Sequence, residues 1–202
     1  MGFRTPNGGN FPNPSILPPA MASPRRIFRI YAQAAIDAEV IRGFQQAKGE
    51  PVSGTVNLLC KRDPAKLLAR WGEEMLELCG VLDGTHDDSY LMEATQTFYW
   101  ASLHAAVLGA TWETLRFEDL LRQGATCGIN SVPELRTAVG RLLATPEAKA
   151  EKPFLLWCVA DHLYRLQTPA DKQWSLDQLM EADFQEMKKR PWMEPLLRLI
   201  GE

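Results

Sequence analysis

From Ser23 onward, apolar residues recur every three or four positions behind recognisable helix starts, and no stretch alternates apolar and polar residues as a half-buried strand does. That pattern excludes sheet-based folds. Ser23 followed by Pro24 reads as an N-cap with proline in the first turn, ahead of Ile27, Ile30, Tyr31, Ala34, Ile41 and Phe44, until Gly49 and Pro51 stop the run. Asp63-Pro64 opens a second helix with the stripe Leu67, Trp71, Met75, Leu78 and Leu82, ending at Gly84. The loop from Gly84 to Ser89 leads into a third. Ser175 and Gln178 make a capping box, and Pro191 ends the helix they begin. The sequence therefore predicts an all-α helical bundle, with helices near 24–48, 64–82, 90–108, 132–144, 147–166 and 175–190. Shorter ones are expected from Trp112 to Gln123 and from Pro195 to Ile200.

Residues 1–22 are rich in Pro, Gly and Asn and lack periodicity, so a disordered tail is expected there, with Met21 as an alternative start. The remainder divides into a helical region over 23–123 and a helical C-terminal extension over 124–202. With 22 basic against 25 acidic residues, nothing draws the chain to a nucleic acid polymer or an anionic membrane. No apolar run approaches the roughly 18–20 residues that span a bilayer, and no secretion-signal core is seen, so a cytoplasmic location is expected. Cys60, Cys79, Cys127 and Cys158 never form a C-x-x-C pair and His86, His104 and His162 lie far apart, which leaves zinc sites of the usual spacing unsupported.

The most informative stretch is Gly72-Glu73-Glu74-Met75-Leu76-Glu77, followed by Glu93-Ala94-Thr95-Gln96. At about 100° per residue, Glu73, Glu74 and Glu77 form a band beside the Trp71/Met75/Leu78 stripe, and Glu93, Gln96, Trp100 and His104 share a face of the next helix. Packing across a short connection can bring the two together. Clustered oxygens on facing helices are what Mg²⁺ demands, with waters and phosphates completing its shell. The competing reading is a surface ladder of ion pairs, since Arg70 precedes Glu73 and Glu74 by three and four residues.

The runs from Ser53 to Leu78 and from Leu91 to Leu115 resemble phosphoribosyl-ATP pyrophosphohydrolase and, more widely, the MazG-type all-α nucleoside triphosphate pyrophosphohydrolases. The family's Ser-x-Thr-x-x-Leu loop is matched by Ser53, Thr55 and Leu58, its following lysine by Lys61, and its Gly-Glu-Glu-x-x-Glu by Gly72, Glu73, Glu74 and Glu77. The resemblance covers about residues 39–121. It implies Mg²⁺-dependent cleavage of a nucleotide between the α and β phosphates, with release of pyrophosphate. Glu73, Glu74, Glu77, Glu93 and Gln96 would be the metal set, Glu73 and Glu74 the water-activating pair, and Lys61 and Lys66 the phosphate contacts. Trp100, one turn beyond Gln96, is placed either to stack on a base or to fill space that a lost substrate group has vacated. The family's second motif, Glu-x-x-Asp, is here Glu93 with Gln96, and its next histidine is Trp100. A glutamine lends an oxygen but no charge, so the cation should be held less tightly.

Outside that core the readings are plainer. The His86-Asp87-Asp88 loop reads as solvated, His104 as a partly buried histidine, Lys188-Lys189-Arg190 as charges at a helix C-terminus, and Asp161-His162 as lacking a third catalytic partner. The second half echoes the cadence of residues 98–122, as a degenerate repeat or as an unrelated helical extension. Two functions stand side by side: a nucleotide pyrophosphohydrolase, and a catalytically degenerate homologue that binds a nucleotide or a partner helix. A homo-oligomer is expected, because the Glu93 helix has apolar residues on more sides than its neighbours can cover.

Overall fold

Five of the helices begin where a Ser or Asp side chain supplies an oxygen to a free N–H of the first turn, whereas those that start at Val132 and Glu151 have no such cap. In the computed structural model, which describes residues 22–145 and 147–199, Ser23 accepts from the Arg26 N–H and opens α1 (Pro24–Ile36). Ser53 caps α3 (Gly54–Lys61), Asp63 caps α4 (Pro64–Asp83), Ser89 caps α5 (Tyr90–Val107), and Ser175 closes its box with Gln178 on α10 (Leu176–Lys188). The other elements are α2 (Ala38–Ala47), α6 (Trp112–Leu115), α7 (Phe117–Gly124), α8 (Val132–Leu143), α9 (Glu151–Gln167) and α11 (Glu194–Leu199). Two short 3₁₀ turns flank α10. The fold is an all-α bundle, with no strand among the described residues. None of its described helices is long and apolar enough to cross a membrane. The tail expected over 1–22 lies outside the described residues except for Ala22, which is buried in the core.

Four boundaries differ from the sequence reading. The helix expected over 24–48 breaks at Asp37, whose carboxylate accepts from the Gln33 side chain at 2.7 Å and whose backbone leaves the helical region. The break shifts the phase of the stripe, so Ile41 is buried while Phe44 and Val40 face solvent. Ser53 to Leu58, a loop by the family resemblance, forms the cap and first turns of α3. The short helix expected over 112–123 is two, divided by Arg116 at φ +51°. The helix expected from 147 starts at Glu151 because of Pro153. In the first turn proline's missing N–H costs nothing, whereas six residues in it would break a bond.

α4 and α5 fold back on each other as a hairpin, and α1, α9 and α10 pack around the remaining sides of α5. The cover that the sequence analysis sought from a second copy is thus supplied within one chain. Few residues of α5 reach solvent, and its hydroxyls turn inward on its own backbone: Thr97 donates to the Glu93 carbonyl at 2.7 Å and Ser102 to that of Phe98 at 2.8 Å. The Trp157 indole donates to the Ala94 carbonyl at 2.8 Å, tying α9 to α5. Phe98, Phe117, Phe154 and Trp157 meet mostly edge to face, with centroids 5.3 to 6.1 Å apart, and so lock α5, α7 and α9 together. Asp161 accepts from Tyr90 at 2.9 Å and from Arg165 at 2.8 Å, a structural tie between α5 and α9.

Close helix approach sets the limits of this packing. A Cβ on Gly124 of α7 would stand 2.7 Å from the Cys158 backbone of α9, and backbone cannot swing aside. Gly43 of α2 has open space around it. Gly124→Ala is therefore expected to lower stability by about 1–3 kcal/mol, and Gly43→Ala to raise it by about 0.5–1 kcal/mol. Urea denaturation of both variants checks the pair, and shifts of the same sign would contradict the packing described.

Candidate metal centre and adjoining cavity

α4 ends where Gly84 adopts a left-handed conformation, and the N–H groups of Thr85 and His86 both donate to the Gly80 carbonyl, at 2.8 and 3.1 Å. Gly80 has to be glycine for this to happen. A Cβ there would stand 2.7 Å from the Cβ of His86. Without one, the loop folds down on the helix and His86 turns toward α5. Thr85 donates to Asp83 at 2.6 Å, and the other Asp83 oxygen accepts from Arg136 of α8 at 3.0 Å, so the C-terminal half also holds the loop.

The outcome is a three-residue cluster. One ligand atom each from Glu77 of α4, His86 of the loop and Glu93 of α5 lie within 4.8 Å of one another. His86 Nε2 is 3.8 Å from Glu93 Oε1 and 2.9 Å from Asp88 Oδ2, yet makes no well-directed hydrogen bond. Glu93 is only 1% exposed, and neither of its carboxylate oxygens has a hydrogen-bond partner. Burial, then the charges of Glu77, Glu74 and Asp88, push its carboxyl up to about 7, with His86 opposing. Two orphaned acceptors in a buried carboxylate are costly, and either a proton or a bound cation would offset the cost.

Glu74 connects the cluster to open space. Its buried carboxylate accepts from Arg70 at 2.9 Å; burial and Glu77 raise its pKa, against Arg70 and the Trp100 indole. It also lines a cavity of about 700 Å³ between α4, α5 and α10, together with Arg70, Gln96, Trp100, Asp183 and Arg190. A neighbouring hollow of about 670 Å³ shares Thr55, Arg70, Trp100 and Arg190 and reaches Ser53 at the start of α3. The Arg70 guanidinium lies over the Trp100 ring, 5.2 Å from its centroid.

The residues singled out in the sequence thus separate into groups. Glu77 and Glu93 join the cluster, and Glu74 lies beside both. Glu73 is exposed on the outer face of α4, paired with Arg70. Gln96 lies in the cavity wall, and so does Trp100. Lys61 and Lys66 are exposed and line neither hollow, and Lys66 pairs with Asp63 at 3.6 Å. The cations on the large cavity are Arg70, Lys189 and Arg190, two of them from the tract read as a helix end. His104 is buried away from both hollows, its pKa brought down to about 4 by burial.

Sequence reasoning set His86 aside as a residue of a solvated loop. The legible signal was Gly80 with Gly84, one turn apart before it, the pattern of a helix end over which the chain folds back. Asp183 was missed altogether. Its Oδ1 accepts from the Tyr31 hydroxyl at 2.6 Å, its Oδ2 has no partner, and burial pushes the carboxyl up to about 7 against the pull of Tyr31 and Arg190.

A carboxyl whose folded pKa is raised holds its proton more tightly folded than unfolded. The stabilisation is complete below about pH 4 and is lost as pH rises through about 7. The unfolding free energy of wild-type protein minus that of Asp183→Asn should therefore fall between these limits, measured by urea denaturation over a pH series. A flat or rising difference would show that Asp183 is ionised throughout.

No known protein family, no curated protein and no solved structure matches this chain.

Proposed function

We propose that this chain is a divalent-cation-dependent nucleotide pyrophosphohydrolase, with Mg²⁺ as the ion that the family resemblance implies. The observation that carries the reading is Glu93, a buried carboxylate with two unpartnered oxygens, grouped with Glu77 and His86 and joined through Glu74 to a cavity lined by Trp100, Arg70, Lys189 and Arg190. Carboxylates for a cation, cations for phosphates and an aromatic face for a base are the chemistry a nucleotide asks of its site. The same residues fit the cation: hard oxygen donors on two helices, one of them left without any other partner.

A bound divalent ion supplies neutralisation of phosphate charge and acidification of water. The chain's own residues do the rest. Glu74, its pKa raised by burial, accepts a proton from the attacking water, and Arg70 holds that carboxylate in place. Water oxygen bonds to the α phosphorus, the bond from that phosphorus to the bridging oxygen breaks, and pyrophosphate leaves with the electron pair. Arg70 and Arg190 offset the charge of the phosphates, and Trp100 provides the surface against which the base lies. Glu73, exposed and paired outward, contributes little. The site is built within one chain. A homo-oligomer would use another face, such as the exposed Ile36, Val40 and Phe44.

The test is pyrophosphate release from a nucleotide panel that includes phosphoribosyl-ATP, with chelator-treated protein and added Mg²⁺ or Mn²⁺. Wild-type protein should turn over at least one member, and Glu74→Gln should lose about 10²–10⁴-fold in kcat. Lys61→Ala and Lys66→Ala should change the rate little. Gln96 in place of a carboxylate favours the second reading, a degenerate homologue. Saturable nucleotide binding without release of pyrophosphate under any cation would establish that reading instead.

A further inference from the structure

We propose that His86 is itself a metal ligand, and that it turns this centre into a site for a first-row transition dication, Mn²⁺ being the probe, in preference to Mg²⁺. The inference rests on the cation site of the proposed function and names its ion class. Three observations support it. The first is placement. The Thr85 and His86 N–H groups both donate to the Gly80 carbonyl and Gly80 has no Cβ to push them off, so the backbone and Cβ of His86 are held against α4 by the fold. The second is that Nε2 faces carboxylates, Asp88 at 2.9 Å and Glu93 at 3.8 Å, without a well-directed hydrogen bond to either, and both Glu93 oxygens likewise lack a hydrogen bond.

The third is spacing. Donors about 2.0–2.2 Å from one octahedral ion stand roughly 3 Å apart when adjacent and roughly 4.3 Å apart when opposite. His86 Nε2 and Glu93 Oε1, at 3.8 Å, stand wider than adjacent donors and would close by about 0.8 Å around a common ion, and the three ligand atoms already lie within 4.8 Å of one another. Gln96 stands where the resembled family has a carboxylate, and here it belongs to the cavity wall. The imidazole supplies the third protein donor in its place. Mg²⁺ prefers oxygen and sheds water reluctantly, whereas imidazole nitrogen favours transition dications over Mg²⁺. Two carboxylates and one imidazole still leave positions for water and phosphate oxygens.

The experiment uses the full chain, stripped with chelator, without nucleotide. Mn²⁺ is added, and pulsed electron paramagnetic resonance is recorded for coupling to a directly bound ¹⁴N, with Mn²⁺ and Mg²⁺ affinities measured by calorimetry. Wild-type protein should show one imidazole nitrogen on Mn²⁺. His86→Gln should lose that coupling and at least about tenfold in Mn²⁺ affinity, with a much smaller change for Mg²⁺. Gly80→Ala, which keeps His86 but drives its Cβ off α4, should weaken Mn²⁺ in the same direction. If His86→Gln fails to fold, the nitrogen coupling of the wild-type protein decides alone. Mn²⁺ bound without nitrogen coupling, or no Mn²⁺ binding at all, overturns the proposal. Nitrogen-coupled Mn²⁺ with no pyrophosphate release from any nucleotide upholds it and sinks the pyrophosphohydrolase reading; Mg²⁺-driven release with no nitrogen coupling does the reverse.

Discussion

The burial of α5 on nearly every side is the constraint on which the other features depend. A helix in that position cannot leave polar side chains to water, so each must find a partner inside. Thr97 and Ser102 turn back on their own helix, and Tyr90 reaches Asp161 on α9. Glu93, the one carboxylate of that helix, is left with neither oxygen hydrogen-bonded, and His104 Nδ1 lacks a hydrogen bond too. A buried carboxylate with carboxylate neighbours is destabilising in the protein by itself, and groups perturbed in this way cluster at functional sites.

The second half of the chain explains how one copy can build such a site. α9 covers the face of α5 that carries Ala94 and Phe98, through Trp157 and Phe154. α10 covers the face that carries Gln96 and Tyr99, and in doing so forms the far wall of the cavity with Asp183, Lys189 and Arg190. α8 reaches back to α4 twice. Arg136 steadies the loop that carries His86, and Leu143 packs against Gly72, where a Cβ would stand 2.6 Å from it. The closest approach to Gly72 is by the terminal methyls of the exposed Leu143, so this contact is one a side-chain movement could relieve. The extension is part of the site's construction.

Much of the fold was legible because caps are local. Ser23, Asp63, Ser89 and Ser175 each act through a side-chain oxygen and an N–H three residues on, and that arrangement can be read directly from the chain. Breaks were less legible where their cause is a specific local geometry, as at Asp37 and at the left-handed Arg116. The pairing of Glu77 with Glu93 followed from helix periodicity and a short connection. His86 did not, because its position depends on the space over Gly80, which only the folded loop reveals. Asp183 and Arg190 were hidden for a different reason: they meet α5 across more than eighty residues of sequence, and no periodicity reports a contact of that kind.

The central claim is that the unpartnered oxygens of Glu93 belong to a cation. Anomalous diffraction from crystals soaked in Mn²⁺ tests it most directly. The account expects one strong peak bounded by Glu77, His86 and Glu93, about 2.1–2.3 Å from a Glu93 oxygen. Crystals that show no peak there, with Glu93 instead hydrogen-bonded to water or to a neighbouring side chain, would contradict it.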